Sequence, residues 1–459
     1  MRSLDDTIAA ISTAPGEGGI AIVRVSGPGA RASAEAVLRN RSGRAVDLQP
    51  WSIRWARVQQ PASGALLDEA LALWMPGPGS YTREDVLEIH CHGGQAAARA
   101  VLDAVLDCGT RLADPGEFTL RSYLRGRVDL LQAEAVLDVI RARTGEALET
   151  HEGLLDGGLS RKVSEWQEKL VHALSLLEAH LDFPEEALGE LDAGAVTAAV
   201  GAVAAEMEGK LATYSWGRTA REGFTAALVG SPNTGKSSLL NRLLEEDRAI
   251  VSPVPGTTRD TIEAWLNVLG VPVRLLDTAG LRRAGNAVEE EGIRRARAAA
   301  QGADVVVLLC DGGRELTSEE RWEAESLAGS GRAIPVVNKV DLGAAPGGTL
   351  ERLFGRPPLL VSALTGDGVP GLLEALREAA WSGRGPRPEA PLTRLRHRQA
   401  VEQALAGLRR ALRVLGEGRF PEVAASELHG ARGFLAELLG WGTPEDVLDE
   451  IFSEFCIGK

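Results

Sequence analysis

The chain has 459 residues, of which 44% are hydrophobic, and it carries a formal net charge of −14. A chain of this length is expected to form two or three domains rather than one core. The acidic balance excludes a surface that binds nucleic acid over its whole extent, so an RNA partner would need a local basic patch or a second protein. The sequence has neither a run of about 18 apolar residues nor a signal-peptide pattern, which predicts a cytoplasmic protein that does not enter a membrane.

The apolar pattern divides the chain into four segments. Residues 1–118 mix short apolar runs with glycine turns and predict an α+β domain, whereas residues 119–215 carry a helical apolar stripe. Strands and helices alternate over 222–380, which predicts a doubly wound, mainly parallel sheet. A helical stripe returns within residues 381–459, after a linker rich in glycine and proline. We expect the two helical segments to pack as one bundle, with the α/β domain inserted between them.

Cysteine and histidine spacing gives little sign of a metal site. The four cysteines stand apart, at Cys91, Cys108, Cys310 and Cys456. His90 and His92 flank Cys91 on a predicted strand, where alternation places both rings on one face with no third ligand in view. A structural or surface role for these histidines is favoured over zinc binding.

A phosphate-binding loop is the clearest motif. Residues 230–237 read G-S-P-N-T-G-K-S and follow the apolar run 226–229. A strand that ends in such a loop, with a helix behind it, presents backbone N–H groups and the positive end of the helix to a polyphosphate. We expect Lys236 to reach the β- and γ-phosphates and the Ser237 hydroxyl to ligate Mg²⁺. The motif predicts binding of a nucleoside triphosphate in a P-loop domain of Ras-like fold.

The base of the nucleotide is indicated further along the chain. Residues 338–341 read N-K-V-D after an apolar strand, and Ser362-Ala363-Leu364 follow another. The carboxylate of Asp341 can accept two hydrogen bonds from guanine, and adenine would leave it unpaired. N-K-x-D alone could be a surface turn, but its order after the phosphate loop favours a guanine site. The sequence therefore predicts GTP.

The residues expected to act on the γ-phosphate lie between these motifs. Asp277-Thr278-Ala279-Gly280 ends an apolar strand, and Thr258 is placed to give a second hydroxyl to Mg²⁺. Leu281 stands where many small GTPases carry a glutamine that orients water. A monovalent cation held by the Asn233 side chain could supply the missing positive charge, although Asn233 could instead cap its own loop. The residues predicted to bind GTP are Asn233, Thr234, Gly235, Lys236, Ser237, Ser238, Thr258, Asp277, Thr278, Ala279, Gly280, Asn338, Lys339, Asp341, Ser362, Ala363 and Leu364.

These motifs resemble those of the potassium-activated GTPases of the TrmE–Era group. P-N-x-G-K-S, G-T-T-R-D and D-T-A-G-L-R carry the match, and the whole chain is similar to the tRNA-modification GTPases within the group. The resemblance implies that Asn233, Ser252, Val254 and Thr257 coordinate K⁺ and that Glu289 orients the attacking water. This chain carries more proline in that loop than its relatives, which stiffens the loop.

The N-terminal segment resembles the folate-binding, dimer-forming domain of the same family. The match is carried by residues 18–27, 80–88 and 115–119. It implies that Arg24, Glu88, Arg127 and Lys459 contact a tetrahydrofolate derivative, either 5,10-methylene- or 5-formyl-tetrahydrofolate. Arginine suits the carboxylates of this cofactor and glutamate suits the N–H groups of its pterin ring. Relatives often carry lysine at position 127, so arginine there keeps the charge but changes the shape.

The last four residues read C-I-G-K. They are a poor prenylation signal because glycine and lysine occupy the final two positions. The same residues resemble the family's C-terminal tail, which reaches the folate pocket. The resemblance makes Cys456 a catalytic or positioning thiol.

The resemblance implies a homodimer that couples K⁺-activated GTP hydrolysis to installing a carboxymethylaminomethyl group at C5 of the wobble uridine of tRNA. The family works with an FAD-dependent partner, MnmG (GidA), in a heterotetramer or larger complex, so FAD would belong to that partner. One alternative is a K⁺-activated ribosome-assembly GTPase of the Era-like group. Another is a folate-dependent transferase with a regulatory GTPase domain.

Overall fold

The computed structural model describes residues 5–182, 193–245, 263–277, 302–343, 345–381, 387–417 and 421–459. The elements of the N-terminal part are β1 (Ile8–Ile11), β2 (Gly18–Ser26), α1 (Ala30–Val37), β3 (Leu38–Arg39), β4 (Ile53–Gln59), β5 (Leu66–Met75), β6 (Val86–Gly93), α2 (Gln95–Leu106), β7 (Arg111–Leu112), α3 (Glu117–Leu124) and α4 (Leu130–Arg141). The later elements are α5 (Gly145–Leu155), α6 (Gly158–Asp182), α7 (Ala193–Ala212), α8 (Tyr214–Glu222), β8 (Phe224–Val229), α9 (Lys236–Glu245), β9 (Glu263–Val268), β10 (Val271–Asp277), β11 (Val305–Asp311), α10 (Ser318–Ala328), β12 (Ala333–Asn338), α11 (Gly347–Phe354), β13 (Leu359–Leu360), α12 (Val369–Trp381), α13 (Leu395–Gly416), α14 (Pro421–Leu439) and α15 (Glu445–Ser453).

The chain forms two compact units. The first unit comprises Met1–Leu137 and Gly433–Lys459, and the second comprises Asp138–Arg432. Both ends of the chain therefore belong to the first unit. The boundaries of the four segments expected from the sequence stay predictions.

A seven-stranded sheet in the order β3-β4-β5-β6-β2-β1-β7 organises the first unit. Neighbouring strands are antiparallel except β1 and β7. Alternate residues such as Val23, Val25 and Ile89 face α1 and α2 and are fully buried. Such alternation is expected of strands that are covered on one face. Cross-strand pairing sets Arg24 opposite Glu88, which brings two predicted folate residues to one place on the sheet.

Helices α3, α4 and α15 form a smaller core in the same unit. Leu130 and Leu137 of α4 pack with Phe452 of α15 and with Phe455, which follows it. At Gly116, just before α3, φ is 67° and an added Cβ would lie 2.6 Å from the Phe452 carbonyl oxygen. Only glycine fits that approach, so α3 and the C-terminal residues meet backbone to backbone.

Long helices begin and end the second unit. The stripe of Val163, Trp166, Leu170 and further apolar residues in α6 is buried. Helix α7 packs against α6 before the α/β part and against α13 after it. The expected helical bundle with an inserted domain is therefore confirmed.

The inserted domain is a six-stranded sheet in the order β13-β12-β11-β8-β10-β9. All neighbours are parallel except β9 and β10. Strand β11 is an unbroken apolar run apart from its last residue, as expected of a strand with both faces covered. The predicted doubly wound, mainly parallel sheet is confirmed.

Helix α8 joins this sheet to the helical part. Trp216 of α8 stacks on Trp381 of α12 with ring centroids 4.8 Å apart, and Arg218 pairs with Asp304 at 2.9 Å. The β9–β10 hairpin adds a second contact, because Trp265 lies 4.0 Å from the Arg143 guanidinium, between α4 and α5. Within the described residues, no helix is long and apolar enough to cross a membrane.

Candidate functional site

The phosphate-binding loop lies between β8 and α9. Lys236 begins α9, and its Nζ donates to the carbonyl oxygens of Gly230 and Ser231, both at 2.7 Å. An added Cβ at Gly230 would lie 2.3 Å from the Leu309 carbonyl oxygen, so the loop packs against β11 as closely as glycine allows. Ser237 and Ser238 follow in the first turn of α9. The loop and the N-terminus of this ten-residue helix form the cradle that phosphate oxygens require.

The N-K-V-D residues join this loop to the base site. Asn338 is fully buried, and its Nδ2 donates to the Thr234 carbonyl oxygen at 2.8 Å. Its Oδ1 accepts from the Ala363 backbone N–H at 3.0 Å. The Ser362 hydroxyl donates to Asp341 Oδ1 at 2.7 Å. One buried amide thus ties the phosphate loop to the S-A-L loop.

Lys339 contacts the backbone of Asn233 in the phosphate-binding loop. Lys339 Nζ donates to the Asn233 carbonyl oxygen and to Asp311 Oδ2, both at 2.7 Å. Gly235 lies beside Asn338, where an added Cβ would be 2.3 Å from its Nδ2. Arg242 of α9 donates to the carbonyl oxygens of Ala363 and Leu364. The structure therefore brings the predicted residues at 233–238, 338–341 and 362–364 together, although their roles stay predictions.

The residues that hold these motifs in place lie outside them, and no sequence motif marks them. Asp311 and Arg242 are ordinary residues at the end of a strand and within a helix. Glu320 in α10 accepts from Arg314 through both oxygens at 2.7 Å. The hydrogen bond from Arg314 lowers the pKa of Glu320 to about 2, and one from the Ser231 side chain acts in the same direction. The sequence signal that could point to Glu320 is the T-S-E-E capping box at 317–320, which marks the start of a helix.

Several predicted residues lie outside the described part of the chain: Ser252, Val254, Thr257, Thr258, Thr278, Ala279, Gly280 and Glu289. Asp277 ends β10, where its backbone lies opposite Leu228 at the same sheet edge as the phosphate loop. A carboxylate at residue 277 and a hydroxyl at Ser237 are groups of the oxygen type that Mg²⁺ takes as ligands.

A second cluster lies on the sheet of the first unit. Glu88 Oε1 accepts from Arg24 Nε at 2.9 Å, and His90 Nε2 lies 3.2 Å from Glu88 Oε2. His92 instead contacts Asp68, with Nδ1 2.6 Å from its Oδ1. The two histidines therefore contact different carboxylates.

The C-terminal tail docks beside Arg24. Arg24 Nη1 donates to the Gly458 carbonyl oxygen at 3.3 Å, and the Phe118 N–H donates to that of Lys459 at 3.1 Å. An added Cβ at Gly458 would lie 2.4 Å from the Ile11 carbonyl oxygen, so glycine allows this close fit. Burial, with the nearby charge of Arg24, lowers the pKa of Lys459. Cys456 is exposed.

Arg127 reaches the cluster through Tyr81. The Arg127 guanidinium lies 5.8 Å from the Tyr81 ring centre, and Tyr81 hydroxyl oxygen is 3.1 Å from Thr119 Oγ1. Burial raises the pKa of Tyr81, and the positive charges of Arg24 and Arg127 partly oppose that rise. Arg24 and Arg127, both predicted to contact folate, therefore both lower the pKa of the Tyr81 hydroxyl.

A buried charge network supports the segment on which the tail docks, and the sequence analysis missed it. Arg121 is fully buried and pairs with Glu117 at 2.9 Å, with Glu84 at 3.2 Å and with Asp6 at 2.5 Å. A buried arginine with three carboxylate partners is satisfied, and the pairs fix α3 relative to the sheet. No local pattern marks such a network, because its members lie up to 115 residues apart.

Known proteins match this chain both over its N-terminal part and over the part that contains the phosphate-binding loop. Residues 7–127 match the family described as the GTP-binding protein TrmE N-terminus, and residues 130–456 match the MnmE helical domain. Curated relatives named "tRNA modification GTPase MnmE" match along the whole chain. The protein from Heliobacterium modesticaldum is 43% identical, with 99% of each chain covered. Those from Geobacter sulfurreducens and Moorella thermoacetica are 44% identical and cover 99% of this chain and all of their own length.

Proposed function

The chain belongs to the MnmE family of tRNA modification GTPases, and from that premise we propose that K⁺-activated GTP hydrolysis drives a folate-dependent modification of the wobble uridine. The proposed product carries a carboxymethylaminomethyl group at C5. The observation that carries the proposal is the docking of the C-terminal tail against Arg24, which is itself bound to Glu88. We propose that the protein works in the cytoplasm with tRNA and with the FAD-dependent partner MnmG.

We propose that GTP is hydrolysed with Mg²⁺ held by Ser237 and Thr258. Lys236 would neutralise phosphate charge, and Asp341 would accept hydrogen bonds from guanine. Asn338 links the phosphate loop to the S-A-L loop through its two hydrogen bonds. Mg²⁺, when bound, stabilises the charge that develops on the phosphate oxygens.

Potassium activation rests on Asn233, whose backbone lies in the left-handed region with φ 65°. This conformation is favourable for asparagine and is held by the Lys339 hydrogen bond. We propose K⁺ ligation by Asn233 with Ser252, Val254 and Thr257, and water orientation by Glu289. GTP turnover should be faster in KCl than in NaCl of equal ionic strength, because Na⁺ is too small to satisfy the same oxygens. Equal rates in the two salts would contradict K⁺ activation.

The folate site is proposed on the Arg24–Glu88 pair, Arg127 and Lys459. Glu88 can accept from the N–H groups of a pterin, and the cationic side chains suit the cofactor's carboxylates. The open face of the sheet also exposes Ile20, Ile53 and Leu71, by 58%, 56% and 41%. These exposed apolar side chains on one sheet face support the proposed homodimer.

Cys456 provides a test of the two roles, because it belongs to the first unit and the GTP site to the second. With the flavin partner and tRNA present, Cys456→Ser should hydrolyse GTP at the unaltered rate but yield no modified uridine. Mass spectrometry of the tRNA nucleosides measures the second effect. Cys108→Ser is the matched control and should keep both activities, since this thiol is half-buried and bonded to the Ala104 carbonyl. Modified tRNA from Cys456→Ser, or loss of its GTPase activity, would refute the assignment.

A further inference from the structure

Arginines cluster at one edge of the N-terminal sheet. Residues 39–57 contain five arginines and one acidic residue, Asp47, in a chain whose net charge is −14. We call four of them the arginine edge: Arg39, Arg41, Arg44 and Arg57. They lie on the edge strand β3, on the exposed loop after it and on the neighbouring strand β4. The segment is therefore locally basic on an acidic protein.

The backbone register sets two of these arginines opposite each other, and Arg39 Nη1 also donates to the carbonyl oxygens of Glu35 and Leu38. Arg39 lies directly opposite Arg57 in the antiparallel pair β3–β4. Like charges in opposite positions destabilise a sheet, and an anion bound between them would relieve the repulsion. Arg41 and Arg57 also lie over the ring of Trp55, at 5.2 Å and 5.9 Å from its centre. A guanidinium stacked in this way keeps its N–H groups free to donate within its own plane.

Acidic side chains neutralise little of this charge. Within the described part of the chain, Arg41 and Arg44 make no ion pair, and Arg57 reaches Glu69 only at 3.4 Å with both side chains nearly half exposed. Exposed arginines elsewhere do pair with carboxylates, as in Arg99–Asp103, Arg161–Asp156, Arg398–Glu402, Arg409–Glu208 and Arg410–Glu427. Arg41 and Arg44 thus differ from these paired arginines in having no carboxylate partner among the described residues.

We propose that the arginine edge binds the sugar-phosphate backbone of the tRNA substrate. The inference rests on the proposed function, which supplies tRNA as the ligand. Arginine is the side chain best suited to phosphate, because its planar fork donates two parallel hydrogen bonds. Four arginines spread over two strands and a loop fit an extended polyanion rather than a single phosphate. This surface resolves how an acidic chain holds RNA.

Binding of labelled tRNA to the full-length chain, measured by fluorescence anisotropy at several KCl concentrations, tests the proposal. Arg41→Gln/Arg44→Gln should raise Kd about tenfold and reduce the slope of log K against log salt by about one to two, because two phosphate contacts are lost. The matched control is Arg352→Gln/Arg413→Gln, which removes the same charge from exposed helix positions in the second unit. The control should stay within about twofold of the unaltered chain.

Unchanged GTP hydrolysis and melting temperature show that a variant is folded. If the double variant does not fold, Arg44→Gln alone serves, because Arg44 lies on the exposed loop, and about a threefold rise in Kd is expected. A folded variant that binds tRNA as tightly as the control overturns the arginine edge while the proposed function stands. Failure of the unaltered chain to bind tRNA even at low salt overturns the docking proposal and also tRNA as a direct ligand of this chain.

Discussion

Single residues outside the motifs hold the phosphate loop in place. Ser231 lies within the loop, and its side chain bonds to Glu320, whose two oxygens also accept from Arg314. The motif residues themselves could be read from the sequence, because the type and spacing of each follow from phosphate and guanine chemistry. Glu320, Asp311 and Arg242 could not, since nothing in their local sequence shows which loop they face.

Arg314→Gln should destabilise the second unit by about 1 to 2 kcal/mol near pH 7, because it removes charged hydrogen bonds from a buried carboxylate. The pKa of Glu320 is lowered to about 2, so its contribution is complete above the unfolded value of about 4.3 and is lost as pH falls towards 2. The difference from the unaltered chain should therefore shrink as pH is lowered from 7 towards about 3. Urea unfolding over this range measures it.

Arg321→Gln is the control for that prediction, because it breaks an exposed pair with Glu325 on the same helix. It should cost less than about 0.5 kcal/mol. An Arg314→Gln variant as stable as this control at neutral pH would show that Glu320 does not depend on Arg314.

Long helices and strands follow the apolar pattern of the sequence closely. The short apolar runs expected within residues 1–118 form strands such as β2 and β6, and the helical stripe expected within 119–215 lies in long helices such as α6. The two-residue strands β3 and β7 were not predicted, because so short a strand has no alternation to detect. Their pairing depends on neighbours distant in sequence.

Only glycine fits at residue 223, which connects α8 to β8. Gly223 has φ 83°, and an added Cβ would lie 2.5 Å from the Trp265 ring. Gly223→Ala should therefore destabilise the chain by more than about 2 kcal/mol and move Trp265 away from Arg143. Thermal unfolding measures the loss, and tryptophan fluorescence reports the ring.

Gly209→Ala is the matched change. Gly209 lies in the interior of α7 with nothing within 4 Å of an added Cβ. It should stabilise the helix by about 0.5 to 1 kcal/mol, since alanine loses less backbone entropy than glycine. If the two variants shifted stability alike, the close approach at Gly223 would not be a constraint.

At the scale of the whole molecule, the proposed folate site joins the two ends of the chain. Arg24 donates to Gly458 across 434 residues of sequence. No periodicity or local motif predicts a contact of that range, so only the family resemblance indicated it. The GTP site differs in this respect, because its motifs could be recognised from their residue types, spacing and order along the chain.

The most direct test is a calorimetric titration of 5-formyl-tetrahydrofolate into the full-length chain and into a variant that lacks Cys456–Lys459. We expect micromolar binding to the full chain and clearly weaker binding without the tail, because Lys459 and the backbone held by Arg24 would be removed. A melting curve of the shortened chain checks that the first unit stays folded. Binding by neither chain, or equal binding by both, would contradict a folate site built from Arg24, Glu88 and the tail.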